Sequence, residues 1–347
     1  MKSTLAFACL AAALTLAGSC AKAPVSGKND LTKRYFDAWV SLHCPDAPET
    51  TLGSRVVADQ EGSGALVGSY EDAPYVYANF TLTDLAGNVS STTSKMLSQQ
   101  IGSYSETDYY GPNVVCRIPG YLSAGINEMM ESMHVGGART AVIPGWLTST
   151  SSENYYTTAK EYLDNVTGSD IIFSVEIMEA IPDIAAWETD SLARYMARHY
   201  PGVDSTAYGY YYIQLAEPLD TTAFEEGETV YLNYTGRILT GQVFDSTIQD
   251  TTKKHRIYSE SKTYEPMSVS WPTEDGSLTT TSSGSLIAGF EKCVLGMKTG
   301  ERGICFFYSG LGYGISGSNS AIPPCSPLVF EIQMLGKNED GSIDTDE

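Results

Sequence analysis

Two stretches of this chain repeat one another: Val76-Tyr-Ala-Asn-Phe-Thr-Leu-Thr-Asp-Leu-Ala-Gly-Asn-Val89 and Val230-Tyr-Leu-Asn-Tyr-Thr-Gly-Arg-Ile-Leu-Thr-Gly-Gln-Val243. Seven positions carry Val, Tyr, Asn, Thr, Leu, Gly and Val in register, at an offset of 154 residues. Two further pairs follow in the same order: Ala124-Gly125 with Ala288-Gly289, and Ile172-Phe173 with Val329-Phe330. Because similar blocks in a fixed order indicate duplication, the sequence predicts two copies of one domain.

Working outward in the second copy, residues Val230 to Leu239 alternate as a strand, and the chain turns at Thr240-Gly241 into a hairpin partner. Residues Leu286 to Met297 place apolar side chains at helical spacing. Two more strands are predicted, over Arg302 to Tyr308 and Pro327 to Met334. Each copy is therefore expected to have an α+β fold, an antiparallel sheet wrapped around one short helix.

The composition supports a folded protein of more than one domain. The chain has 347 residues, with 42% apolar and 18% charged residues, which is ample for packed cores. Its 21 Lys and Arg stand against 42 Asp and Glu, a formal net charge of -21. No run of basic residues offsets this balance, so the sequence predicts no nucleic-acid partner, because binding to a phosphate backbone is favoured by a basic surface.

The first twenty residues have the features of an export signal. Lys2 precedes an apolar stretch over Leu5 to Ala17, which is too short to span a bilayer as a helix. The segment Leu16-Ala-Gly-Ser-Cys20 resembles the lipobox of bacterial lipoproteins, which implies that Cys20 is acylated and becomes the new N-terminus. An ordinary cleaved secretory signal with an incidental cysteine is the alternative.

The other cysteines give no metal site. After removal of the signal peptide, which contains Cys9, five remain besides Cys20, none with Cys-x-x-Cys spacing: Cys44, Cys116, Cys293, Cys305 and Cys325. The four histidines lie far apart in the sequence. Whether Cys293, Cys305 and Cys325 form a disulfide stays open, and buried free thiols are the simpler interpretation.

Seven ordered blocks in the second copy resemble the signature blocks of FKBP-type peptidyl-prolyl cis-trans isomerases. They are Tyr234-Thr-Gly, Phe244-Asp-Ser246, Leu286-Ile-Ala-Gly-Phe290, Met297-Lys-Thr-Gly-Glu-Arg302, Gly312-Tyr-Gly314, Ile322-Pro-Pro324 and Leu328-Val-Phe330. The resemblance implies two tandem FKBP-like domains. The chain is then expected to comprise a lipoprotein signal peptide at 1–19, a tether at 20–30, a degenerate FKBP-like domain at 31–181, a linking helix within 182–204, an isomerase domain at 205–337 and an acidic disordered tail at 338–347.

The resemblance also implies a site that works without nucleophile, metal or cofactor. Rotation about a prolyl peptide bond crosses a barrier of roughly 18–20 kcal/mol, which a dry pocket that prefers the twisted amide lowers. By position in the motif, the pocket is lined by Tyr234, Phe244, Leu286, Ile287, Phe290 and Phe330. The Tyr313 hydroxyl and the Ile322 backbone N–H are expected to bond substrate carbonyls, and Asp245 to form a polar wall.

Both copies depart from the family pattern. In the second copy Phe290 replaces the usual Trp of the floor, Met267 replaces the flap aromatic, and the segment 246–285 is roughly twice the usual length. Within that segment Lys253-Lys-His-Arg256 is interpreted as a solvated hairpin tip, with a substrate-contacting rim as the alternative. The first copy has Ser90-Ser91 in place of Phe244-Asp245, so it is expected to keep the scaffold without the pocket.

The function expected from these features is a prolyl isomerase that assists the folding of exported proteins. Its partners would be proline-containing exported polypeptides, and a lipid on Cys20 would hold it to the periplasmic face of the outer membrane or to the cell surface. The alternative is a non-catalytic lipoprotein that binds proline-containing loops or acts in assembly.

Overall fold

The computed structural model describes residues 27–150, 155–273, 276–280, 285–336 and 343. The predicted signal peptide, residues 20–26 of the tether and all of the acidic tail except Ile343 lie outside these ranges. Helices in the described ranges are α1 (Asp30–His43), α2 (Lys95–Gln100), α3 (Ala124–Glu131), α4 (Ala159–Asn165), α5 (Ile184–His199), α6 (Gln249–Lys254) and α7 (Ala288–Gly296). Short 3-10 turns lie at Gly145–Leu147, Ser309–Leu311 and Gly314–Ser316.

The strands form two separate antiparallel sheets. The first sheet contains β1 (Arg55–Gln60), β2 (Tyr75–Asp84), β3 (Val89–Thr92), β4 (Asn113–Cys116), β5 (Ala138–Ile143) and β6 (Ile171–Ile181). The second contains β7 (Tyr210–Ala216), β8 (Thr229–Ile238), β9 (Val243–Ser246), β10 (Met267–Ser270), β11 (Thr279–Thr280), β12 (Arg302–Phe307) and β13 (Leu328–Met334).

The two sheets have the same topology. The first runs β1-β5-β6-β2-β3 with β4 also on β2, and the second runs β7-β12-β13-β8-β10-β11 with β9 also on β8. The strand register shows which residues are equivalent in the two domains. Leu82 pairs with Ser91 and Phe173, and Gly236 pairs in the same way with Asp245 and Phe330. The prediction of tandem α+β domains is confirmed.

A short helix covers the inner face of each sheet, as predicted. In the second domain α7 buries Phe290, Cys293 and Val294 against that sheet. Gly289, in the first turn of this helix, lies against β12, where a Cβ would meet the ring of Phe307 at 2.4 Å. Glycine is therefore required at this close approach.

The helix α5 covers the outer face of the second sheet. Its buried Leu192 and Met196 pack against Ile304, Phe306 and Val329, which point away from α7. Asp183 caps the helix by accepting a hydrogen bond from the backbone N–H of Ala186 at 3.0 Å. The linking helix predicted within residues 182–204 is thus present as Ile184–His199, and it packs on the second domain.

The hairpin predicted at Lys253-Lys-His-Arg256 is wrong, whereas the solvent exposure predicted for these four residues is confirmed. Residues Gln249–Lys254 form the helix α6, and the side chain of Thr252 on this helix is buried. Lys253 and Lys254 lie in the last turn of this helix, and Arg256, just beyond it, makes an ion pair with Glu106 of the first domain at 3.0 Å.

The five cysteines of the described residues are free thiols, and all but Cys44 are buried. Burial raises the pKa of the Cys325 thiol to about 12, so this group stays protonated and unreactive at neutral pH. Every helix in the described part of the chain is too short or too polar to cross a membrane.

Candidate active site

A cavity of about 210 Å³ opens between the second sheet, the N-terminus of α7 and the loop after β12. It is lined by Tyr234, Phe244, Asp245, Met267, Ser285, Leu286, Ile287, Phe290, Tyr313 and Phe330. Eight of the nine residues singled out in the sequence therefore come together here. The ninth, Ile322, is buried in the second core with 4% of its surface exposed and does not line the cavity.

The floor of the cavity is an aromatic cluster centred on Phe330. Its ring meets Phe290 edge to face at 5.0 Å and Phe244 at 5.6 Å between centroids. Tyr234 contacts Phe290 in the same manner at 5.4 Å. Edge-to-face packing fixes the ring orientations, so the cluster forms a rigid apolar wall that a proline ring could contact.

The rings of Phe244 and Phe330 can lie over Gly236 because this residue has no side chain. A Cβ at Gly236 would meet the Phe244 ring at 2.7 Å and the Phe330 ring at 2.8 Å. The sequence interpretation did not single out Gly236. The signal was available, since the aligned position of the first repeat carries Leu82.

A chain of polar contacts closes one side of the cavity. The Tyr234 hydroxyl donates to Asp245 Oδ2 at 2.6 Å, and Lys262 from the long segment after β9 makes an ion pair with Asp245 Oδ1. Burial and the Asp245 carboxylate raise the pKa of Tyr234, so its phenol stays protonated. Asp245 is thereby held as a polar wall, with its carboxylate already occupied by protein donors.

The hydroxyl of Tyr313 is free to serve a ligand. It lines the cavity, and no residue in the described ranges pairs with it. Burial, followed by the nearby Asp245 carboxylate, raises the pKa of Tyr313, so the group remains a hydrogen-bond donor at neutral pH.

The backbone N–H of Ile322 is not available to a substrate, and that expectation is corrected. It donates to the Ser318 carbonyl at 3.1 Å, and Ser318 N–H returns a bond to the Ile322 carbonyl at 2.9 Å. Ile287, by contrast, lines the cavity at the N-cap of α7, and its amide has no acceptor among the described residues. The first turn of a helix leaves such N–H groups unpaired, so Ile287 is the better candidate donor.

The first domain keeps the scaffold of this site but has different residues at the positions that line the cavity of the second domain. Thr93 bonds the backbone of Phe80 as Thr247 bonds that of Tyr234, with N–H to Oγ1 distances of 3.0 Å in both domains. Leu82 fills the place of Gly236, and serines 90 and 91 stand in place of Phe244 and Asp245. The scaffold expected for the first copy is therefore present, and the aromatic wall and carboxylate of the second copy have no counterparts at these positions.

Sequence comparisons place the second domain in a known family. The family described as FKBP-type peptidyl-prolyl cis-trans isomerase matches residues 220–335. FK506-binding protein 59 of Drosophila melanogaster is 34% identical over 137 residues, which are 38% of this chain and 26% of that protein. FK506-binding protein 1A of Aspergillus fumigatus is 30% identical over 114 residues, which are 33% of this chain and 81% of that protein.

Solved structures of related proteins were also found. A peptidyl-prolyl cis-trans isomerase from Pseudomonas syringae is 24% identical, covering 43% of this chain and 92% of that chain with a TM-score of 0.29. The three FKBP domains of wheat FKBP73 are 15% identical, covering 81% of this chain and 92% of that chain with a TM-score of 0.28. On the sequence matches, this chain belongs to the family of FKBP-type peptidyl-prolyl cis-trans isomerases.

Proposed function

We propose that the second domain catalyses cis-trans isomerisation of X-Pro bonds and thereby assists the folding of exported proteins. The observation that supports this most directly is the aromatic cavity with the unpaired, protonated Tyr313 hydroxyl on its wall. Family membership is consistent with the same activity.

The cavity would act by preferring the twisted amide over either planar form. Its aromatic floor holds the proline ring and excludes water from the amide, which removes hydrogen bonds that favour the planar, resonance-stabilised state. The Tyr313 hydroxyl, and in our assignment the Ile287 N–H, would donate to carbonyls of the substrate and fix its orientation. No proton needs to be transferred, because no covalent bond is broken.

Tyr313→Phe tests the hydroxyl donor in the full-length protein. We expect kcat/KM for a proline-containing peptide to fall about tenfold, the cost of one unmade hydrogen bond. Tyr258→Phe, a tyrosine of the long segment outside the cavity, should leave the rate unchanged. Equal rates for Tyr313→Phe and the unmutated protein would contradict the assigned role.

A non-catalytic binding module is the competing function, and the long segment that brings Lys262 onto Asp245 is the observation that favours it. A protein that only holds proline-containing loops would bind the peptide without speeding its isomerisation. Refolding of a proline-limited protein distinguishes the two, since only an isomerase accelerates the slow phase.

We also propose that Cys20 carries a lipid that anchors the protein to a bacterial membrane, with exported chains as its clients. Cys20→Ser should move the protein from the membrane fraction to the soluble fraction and abolish incorporation of labelled fatty acid. Retention of the variant in the membrane fraction with unchanged labelling would show that the anchor lies elsewhere.

A further inference from the structure

We propose that α5 and the first domain position the loop that carries Tyr313, so that the degenerate domain acts as a brace for the active site. This loop, residues 309–325, is called the Tyr313 loop. The proposal rests on the proposed function for its catalytic consequence. Independently of that function, three contacts from outside the second domain hold the beginning, the middle and the end of this loop.

The beginning of the Tyr313 loop is held by Glu188 of α5. Both carboxylate oxygens accept from Ser309: its backbone N–H at 2.6 Å and its hydroxyl at 2.6 Å. Glu188 has only 1% of its surface exposed, and Ser309 starts the 3-10 turn that leads to Tyr313. A buried carboxylate with two bonds to one residue fixes both the position and the direction of the chain there.

The middle of the loop is held by the first domain. Tyr109 N–H donates to the Ser320 carbonyl at 2.8 Å, and the Ser320 hydroxyl donates to Asp108 Oδ1 at 2.5 Å. The same short segment of the first domain reaches two other parts of the second domain. Glu106 pairs with Arg256, and the Thr107 carbonyl accepts from Gln242 at 3.3 Å.

The end of the loop is buried between the domains. Cys325 packs with Val114 and Ile181 of the first domain in one apolar cluster. Cys325 has a φ of 54°, a left-handed conformation that a residue with a side chain adopts only when its surroundings impose it. Its N–H donates to the Gly314 carbonyl at 2.8 Å, which ties this buried end to the residue next to Tyr313.

Together these contacts determine where the Tyr313 hydroxyl lies. Within the loop, the reciprocal bonds of Ser318 and Ile322 link the middle contact at Ser320 to the same turn. A displaced donor weakens transition-state binding even when the loop stays folded, because hydrogen bonds depend steeply on distance and angle. Glu188 and Asp108 are therefore positioning residues that act through Tyr313.

The test compares full-length variants by hydrogen exchange of the peptide covering 309–325 and by kcat/KM on a proline-containing peptide. Asp108→Ala and Glu188→Ala should speed exchange in the loop and lower kcat/KM on the order of tenfold. The matched control is Asp59→Ala, which removes a carboxylate that pairs with Arg139 within the first domain. It should change neither measurement.

Two further measurements separate positioning from simple loss of stability. In a Tyr313→Phe background, Asp108→Ala should lower kcat/KM by less than about twofold, because the hydroxyl that it would displace is already absent. Glu188→Gln should rescue the Glu188→Ala defect, since the amide can accept from Ser309 N–H and donate to its hydroxyl.

Unchanged loop exchange in both Asp108→Ala and Glu188→Ala would overturn the brace, whatever the activity. Faster exchange with an unchanged kcat/KM would also overturn it, because the loop would then be held without consequence for the site. If the unmutated protein has no isomerase activity, the proposed function fails, and the exchange measurement still decides whether the loop is held.

Discussion

Gly236→Leu should abolish isomerase activity while the second domain remains folded. The new side chain should displace the rings of Phe244 and Phe330, because even a Cβ at this position would approach both rings to within 2.8 Å. Since displaced rings no longer form the wall that would hold the proline ring, we expect kcat/KM to fall at least on the order of a hundredfold. Overpacking should cost about 1–3 kcal/mol of stability, which a folded domain can survive.

The first domain shows that the fold accepts leucine at this place, because Leu82 occupies the equivalent register position. The matched control is Gly296→Leu, at a glycine of α7 where a Cβ would meet nothing within 4 Å. Activity and slow-phase refolding are measured for both variants alongside circular dichroism. A Gly236→Leu protein that is folded and fully active would show that the reaction occurs elsewhere on the chain.

Glu188→Gln should make the protein more stable above neutral pH. Burial raises the pKa of Glu188 from its ordinary 4.5 to about 7, although the two bonds from Ser309 oppose the shift. The folded state therefore binds more protons than the unfolded state between these two values, and stability falls as the pH rises through that window. A pKa shift of this size corresponds to roughly 3 kcal/mol in the free energy of unfolding, and this contribution is fully lost above the pKa of the folded state.

The glutamine variant removes this dependence, because it has no carboxylate to ionise. The titratable groups that face Glu188 are Tyr75 and Cys325, whose pKa values it raises further. Neither of them ionises between pH 5 and pH 8. Urea unfolding at pH 5 and pH 8 gives the difference between variant and unmutated protein, and Glu217→Gln, an exposed carboxylate, is the control. A difference that is the same at both pH values would contradict the prediction.

Much of the fold could be predicted because its signals are local. The alternation from Val230 to Leu239 and the helical spacing from Leu286 to Met297 each specify an element from neighbouring residues. The internal repeat then predicted that the first domain has the same fold as the second. Both elements appear in the structure, with the helix shortened to Ala288–Gly296.

The sequence predicted the residues of the site correctly only where the type of side chain determines the role of the residue. Tyr313 and Phe330 stand in motifs and line the cavity, whereas the use of the Ile322 amide depends on pairing with Ser318, which no motif reveals. The contact between Asp108 and Ser320 joins residues 212 positions apart. Such pairings arise from packing between domains and leave no pattern in one sequence.

The position of α5 has a consequence for cutting the chain. A fragment that begins at residue 205 would lose the helix whose Leu192 and Met196 cover the outer sheet face. Ile304, Phe306 and Val329 would then face water as one apolar patch, which promotes association between copies. A fragment containing the second domain should therefore begin at or before Asp183, where the helix is capped, if it is to stay soluble. This starting point lies upstream of residue 205, where the family resemblance alone would place the start of the domain.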